Sequence, residues 1–486
     1  MNHMLAGAAL ATLLVASGAM NARAETYGFH GHIQHRFERL SDFVLDAEGV
    51  RHEQPYRHTF RARVGGKMNF TRDFWITSTV QLMDGQVLGA QSPVPSGARG
   101  EGWTNASLQQ RVQLRESTLR MAFPVGTAYV GRMPIRWGMG LVLHDGETTD
   151  QPFDDARGGD IVNGIWLDTT PIQAFGPSRL AYGLHIGLGG DIVEQDDLAD
   201  RSQGDLAWRL AGSVSWEEPW LTGGIYVMLH NLERSNGEQA ERIVIDSAWK
   251  YTGRFTDRYE LIVEGEVAMV TGNATRPAPL SSTDVGNIIE LNQMGAAGRV
   301  TLRDRTLDSD YVVEVGYASG DSALGDATDT AFRADPARRV GMLIFDEVLS
   351  RMSAQHFQRV QHLPSLQAWQ QTPTNGAVTG ALYVAPHASW RLWGETIALH
   401  AGGVIAFAPE PAPTLTSTQW EEADTGMLGY EFNSAATVQV DITDVLNISI
   451  GTQYGIFFPG PALSALTAEY SMGVVHKWRL LADVTW

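Results

Sequence analysis

The chain has 486 residues, with 36 Lys and Arg against 55 Asp and Glu, a formal net charge of −19, no Cys, 51 Gly and 14 Trp. That acidity does not fit nucleic-acid binding, and the lack of cysteine excludes disulfides, thiol chemistry and a lipidated-cysteine anchor. No apolar run reaches the ~18 residues of a spanning helix, and no linker-like break divides the chain, so one β-rich unit is the simplest organisation.

Taken in order, the chain opens on a short apolar run at 5–15, followed by the small-x-small site Ala22-Arg23-Ala24. This layout predicts a signal peptide over 1–24 and a body over 25–486. The first four residues depart from it in having no Lys or Arg, and removal would take away one arginine and no acid. Strand-sized alternations then begin, since period two marks a half-buried strand. Tyr27, Phe29 and Ile33 share one face; Phe60, Ala62 and Val64 stand against Arg57, Arg61 and Arg63; Ile76, Val80 and Leu82 follow the turn at 71–73. The fourth and fifth strands flank 124–126, and a loop of about 25 residues precedes a sixth near 160–170. A seventh sets Leu180, Tyr182, Leu184, Ile186 and Leu188 on one face, and the eighth and ninth flank 217–220. Strands ten to thirteen carry Ile243 to Tyr251, Tyr259 to Val267, Val300 with Leu302, and Tyr311 to Tyr317. Four more begin near Val378, Thr396, Met427 and Leu446. The last is Trp478 to Trp486, with Trp478, Leu480, Ala482, Val484 and Trp486 on one face.

Short connections at 71–73, 124–126, 171–178, 217–220, 252–257, 304–309, 388–394 and 442–445 alternate with mostly longer ones. That rhythm belongs to a transmembrane antiparallel β-barrel of about 18 strands, with short periplasmic turns, long external loops and aromatic girdles. An even count places both termini in the periplasm. The expected setting is the outer membrane of a Gram-negative cell, with lipid and lipopolysaccharide outside and the barrel-assembly machinery acting on the closing strand.

A barrel this wide leaves a lumen that side chains cannot fill. Its inward charges fall into two arcs. Strands two to five supply Arg57, Arg61, Arg63, Arg120 and Arg132 with Glu116; strands ten to thirteen supply Asp246, Glu260, Glu264, Glu266 and Glu314 with Lys250, Arg299 and Arg303. As pore-lining groups these would orient polar solutes; as solvated residues or cross-strand ion pairs they would only stiffen the wall. The long loop 320–375 contains Leu343, Ile344, Val348, Leu349 and Met352 at helical spacing, which predicts an amphipathic helix lying either in the lumen or on the outer rim.

His144-Asp145 and Asp154-Asp155 share one external loop, and a histidine beside carboxylates is what water activation needs. Acidic loops are also ordinary solvated surface or weak Ca²⁺ ligands, and neither a Gly-x-Ser-x-Gly nor a His-Glu-x-x-His motif is present. The residues therefore point to a channel for small polar or anionic solutes, with no cofactor, metal or enzymatic activity. A structural or adhesive barrel and an outer-membrane hydrolase are the alternatives.

Four patches add a family resemblance. Arg115-Glu116 with Gly131-Arg132, Trp137-Gly138-Met139-Gly140, Gly316 to Asp321, and Phe332 to Asp335 with Gly341 to Ile344 resemble the alginate-export-type outer-membrane porins. The resemblance implies an eighteen-stranded monomeric barrel that conducts an anionic polysaccharide through an electropositive lumen, with Arg120 and Arg132 facing it.

Overall fold

The structure, a computed structural model, describes residues 26–486 apart from 47, 54–55, 90–111, 148–152, 154–157, 177–181, 276–287, 323–326, 361–372, 395, 411–425 and 465–470. The expected signal peptide, Leu180 and the Asp154-Asp155 pair lie outside the described residues.

Eighteen long strands form one antiparallel sheet closed on itself. They are β1 (Thr26–Leu40), β2 (Arg57–Thr71), β3 (Phe74–Gly89), β4 (Val112–Phe123), β5 (Gly126–Pro134) and β6 (Ile161–Thr169). Next come β7 (Leu184–Gln195), β8 (Leu206–Glu218), β9 (Leu221–Glu233), β10 (Gln239–Arg254), β11 (Tyr259–Thr275) and β12 (Ile288–Asp304). The last six are β13 (Ser309–Ala318), β14 (Ala381–Leu392), β15 (Ile397–Phe407), β16 (Met427–Thr443), β17 (Leu446–Pro459) and β18 (Val475–Thr485). Each pairs with its neighbours in sequence, and β1 also pairs with β18 in the register Ile33↔Val484, which leaves no sheet edge. Closure is what allows a sheet to sit in hydrocarbon, where every backbone N–H and C=O must find a partner.

The exterior is apolar because alternation puts every second side chain outward. On β8, Trp208 and Leu210 are 41% and 52% exposed while Arg209 between them is 2% exposed. The polarity of a soluble protein is thus inverted, as a lipid-facing barrel requires. Around Trp486 the seam closes tightly: Gly31 donates N–H to the Trp486 carbonyl at 2.8 Å and accepts from its N–H at 3.0 Å. The indole covers Gly31 so closely that a Cβ there would lie 2.0 Å from the ring. Gly31→Val is therefore expected to displace Trp486 and lower the yield of closed barrel, as is deletion of Trp486. The check is the fraction that migrates as a compact band before boiling.

Inside, the two ends differ. Toward the short turns the inward residues remain half-exposed. Toward the long loops they are buried, as on β16, where Glu431 and Asn433 are covered but Gln439 and Asp441 are exposed. The covering material is the 135–160 loop and the 319–380 loop, which fold into the lumen and share an apolar core with the wall that includes Met139, Leu141, Phe332, Leu343, Ile344, Phe345 and Val348. The amphipathic stretch therefore lies within the barrel and not on its rim. Its first part, Ile344–Leu349, is π-helical, and it continues as helix α1 (Ser350–Val360).

Candidate functional site: a lumen narrowed by two infolded loops

The 319–380 loop is fastened to inward charges in succession around the wall. Arg338 donates to Glu314 on β13 at 2.5 Å and to the Tyr383 hydroxyl on β14 at 2.9 Å. Glu431 on β16 then accepts the backbone N–H groups of Met342, Leu343 and Ile344 at 2.7, 3.0 and 2.7 Å. Gly341, at φ +71°, makes the turn that points these groups at the carboxylate. Glu347 accepts from Arg57 on β2 at 2.6 Å, Lys477 on β18 at 2.5 Å and Arg351 of α1 at 3.0 Å. Burial alone would push the Glu347 carboxyl up; Arg57, Lys477 and Arg351 outweigh it and hold that carboxyl well below the ordinary 4.5. Gln355 reaches Asp46 in the first long loop at 2.8 Å.

The 135–160 loop is held from the opposite arc. Glu266 on β11 accepts the N–H groups of Leu141, at 3.0 Å, and Met139, and Trp137 lies against Tyr226 of β9 with ring centroids 5.3 Å apart. Arg115 on β4 donates to the carbonyls of Gly158, at 3.2 Å, and Asp145. The two loops meet where Asp335 donates N–H to the Leu141 carbonyl at 2.8 Å and accepts from His144 N–H at 3.2 Å.

The structure thus gives the inward charges different work. Arg57 is tied to Glu38 and Glu347. Arg63 binds Gln81 and Glu147 at 2.7 Å each, and Arg61 is buried close enough to act on the same Glu147 carboxylate. Glu116 takes Arg120 at 3.1 Å, and Arg132 bridges Asn163 and Glu194 at 2.9 and 2.7 Å. Across the barrel, Glu264 sits 3.3 Å from Lys250 and 3.5 Å from Arg299, and Arg299 also binds Glu314 at 2.7 Å. Asp246 is buried on the same face as Glu266. At the turn end Glu260, Arg303, Asp310 and Arg391 form a chain of ion pairs over β11 to β14. Loop carboxylates therefore neutralise much of the basic arc, while in the acidic arc Glu266 anchors loop backbone and Glu314 the loop's Arg338.

His144 is not presented to solvent. It is 1% exposed, its Nδ1 accepts the Gly146 N–H at 2.9 Å, and burial together with Arg136 and Arg338 pushes its pKa down to about 3. A ring neutral and enclosed in this way fixes a loop and does not face a substrate.

Sequence reasoning did not single out Glu38, Arg338, Glu347, Glu431, Lys477 or Arg479 as site residues. Glu431 looks like any inward acid, since the N–H groups it serves lie almost ninety positions away. Glu431→Ala would strand three buried donors at ~1–3 kcal/mol each. The variant is expected to loosen the loop without opening the barrel, read as faster tryptic cleavage at Arg338, Arg339 and Arg351 with unchanged heat-modifiability.

This geometry defines a class: a closed, lipid-facing barrel whose lumen is narrowed from the loop end by infolded segments. Solved structures share that fold. Pseudomonas aeruginosa OccK11 (OpdR) aligns at 10% identity over 95% of this chain and 96% of its own, with a TM-score of 0.51. Pseudomonas aeruginosa OpdK, crystallised with vanillate, aligns at 9% identity over 96% and 100%, TM-score 0.52. Acinetobacter baumannii OccAB1 aligns at 9% identity over 96% and 99%, TM-score 0.50. No sequence-family model matches the chain, and no curated protein matches it.

Proposed function

We propose that this protein is a passive outer-membrane channel for small polar solutes, anionic ones included. The observation that carries the reading is the combination of a closed barrel with an apolar outer face and a charged lumen that loops narrow without filling. A barrel serving only as a scaffold has no need of open, half-exposed ion-pair chains along its turn end. In this reading residues 1–24 direct export, both termini lie in the periplasm, and the exterior meets lipid and lipopolysaccharide after assembly by the barrel-assembly machinery. Arg120, Arg132, Lys250, Glu264 and Arg299, which keep some exposure, line the water-filled part. Arg57, Arg61, Arg63, Glu266 and Glu314 shape the path by holding loops, Glu116 by holding Arg120, and Asp246 lines the wall beside Glu266.

OpdK with vanillate, an aromatic carboxylate, is a fold relative carrying a small anion, which favours solutes of that size. The finer alginate-export-type reading rests on the four sequence patches, and a polysaccharide would require both loops to withdraw. The test is osmotic swelling of proteoliposomes in solutes of graded size. Small polar solutes are expected to enter quickly and oligosaccharides slowly; swelling no faster than protein-free vesicles would favour the structural or adhesive alternative.

A further inference from the structure

The loops leave one side of the lumen open. The 319–380 loop follows the wall from β13 round to β2, and the 135–160 loop sits against β4, β9 and β11. Between them and the loop-end halves of β8 to β12 is a cavity whose space, open solvent at its mouth included, is about 990 Å³.

Its charges come from two sides. Arg209 and Arg242 project from strands β8 and β10, whereas Asp160, Asp196 and Asp197 come from the intervening loops, with Arg333 on the 319–380 loop. Much of the remaining lining is apolar, including Val142, Leu143, Met228, Leu291 and Phe332. Arg209 gives Nε to Asp191 at 2.8 Å, but its Nη2 has no hydrogen-bond partner among the described residues. Among the described residues, Arg242 contacts His230 Nδ1 through Nη2 and its Nε has no hydrogen-bond partner. His230 Nε2 is likewise unpartnered, 3.8 Å from Asp196. Arg209 and His230 are each 2% exposed, and leaving a buried donor unpaired is costly, so groups of this kind are normally met by a ligand or water. Asp196 is occupied by the N–H groups of Leu198 and Ala199 at 2.8 and 2.7 Å. Asp160 is short of cations: burial and the Asp335 and Asp196 carboxylates push its own carboxyl well above the usual range.

We infer that this cavity is a solute subsite for a small zwitterion with an apolar body, of the chemical class of an aliphatic α-amino acid. Its carboxylate meets Arg209 and Arg242, its ammonium faces Asp160 and Asp197, and its side chain lies on Val142, Leu143 and Phe332. A lone anion would meet three carboxylates in the same chamber, and a lone cation would meet guanidiniums. A ligand with both charges and an apolar body satisfies both sides and the wall between them. The inference rests on the channel reading above.

The test uses the full-length protein in a planar bilayer carrying KCl current, with ligand added on the loop side. Leucine is expected to interrupt the current. 4-Methylpentanoate, which lacks the amine, and 3-methylbutylamine, which lacks the carboxylate, should each bind at least about tenfold more weakly, because each forgoes a charge-assisted hydrogen bond. Arg242→Gln should weaken leucine and the acid but not the amine; Asp197→Asn should weaken leucine and the amine but not the acid. If a variant fails to assemble, the three ligands on the unaltered protein still decide. Equal block by leucine and 4-methylpentanoate would make this a plain anion site and overturn the inference. So would KCl current that none of the three disturbs, which would leave the channel reading standing. Folded protein with no current would bring down both.

Discussion

Excising residues 325–370 is expected to raise single-channel conductance several-fold and leave the barrel closed. Among the described residues, the pairings between the eighteen wall strands lie outside this segment, which joins the sheet through the two-residue parallel bridge Thr328–Asp329 beside β12 and the isolated Arg333–Thr379 bridge. The sheet, including its β13–β14 pairing from Ser309↔Trp390 to Ala318↔Ala381, therefore keeps its hydrogen bonds. What is lost is the apolar body built on Leu343, Ile344, Phe345 and Val348, which occupies lumen that water would otherwise fill. Glu314, Glu431 and the Arg57–Lys477 group would face the opened pore, as charged residues in wide barrels do. The readings are conductance steps in a planar bilayer and the unboiled gel band. An unchanged conductance would mean that the path runs elsewhere.

Glu347→Ala is expected to be the most disruptive single change in the plug. It removes the carboxylate shared by Arg57, Lys477 and Arg351, all nearly inaccessible, and stripping the partner from buried charges costs ~3–5 kcal/mol. Glu38 still neutralises Arg57 and Arg479, so the wall should hold while the loop detaches. The expected record is a fluctuating, larger current than wild type, with heat-modifiability retained. The pH dependence follows from the same site. A carboxyl whose folded pKa is depressed stabilises the docked loop above its unfolded value and loses that contribution only as pH falls through the folded value. Because the folded value lies well below 4.5, wild-type conductance should stay constant between about pH 7.5 and about pH 5 as far as this group is concerned. A steep rise in that window would show that another group controls docking.

The strand content was legible because alternation is a local property. Trp208-Arg209-Leu210 announces its two faces without reference to any other residue, and the turn-and-loop rhythm sets the count. The strand ends were less legible: the turn expected at 388–394 falls mostly within β14, which runs on to Leu392 before β15 begins at Ile397, and the seventh strand starts at Leu184, leaving Tyr182 outside it, after a 3₁₀ turn at Pro171–Phe175. The work done by the inward charges was not legible. Arg57, Arg61 and Arg63 share a phase, but whether they face water or a carboxylate depends on Glu347 and Glu147, which come from distant loops. The same applies to Glu266 and Glu431, whose partners are backbone N–H groups that carry no side-chain signature. The patches at 137–140 and 341–344 were visible as motifs, and their role as the segments gripped by those two acids became visible only once the lumen was assembled.

The central claim is that this is a conducting barrel narrowed by its own 319–380 loop, and single-channel recording of the purified full-length protein tests it most directly. In about 1 M KCl, where surface charge is screened over ~3 Å, the protein is expected to give discrete, reproducible steps that are small compared with those of the 325–370 excision. Heat-modifiable protein that inserts and yields no steps, or steps as large as those of the excised chain, would contradict it.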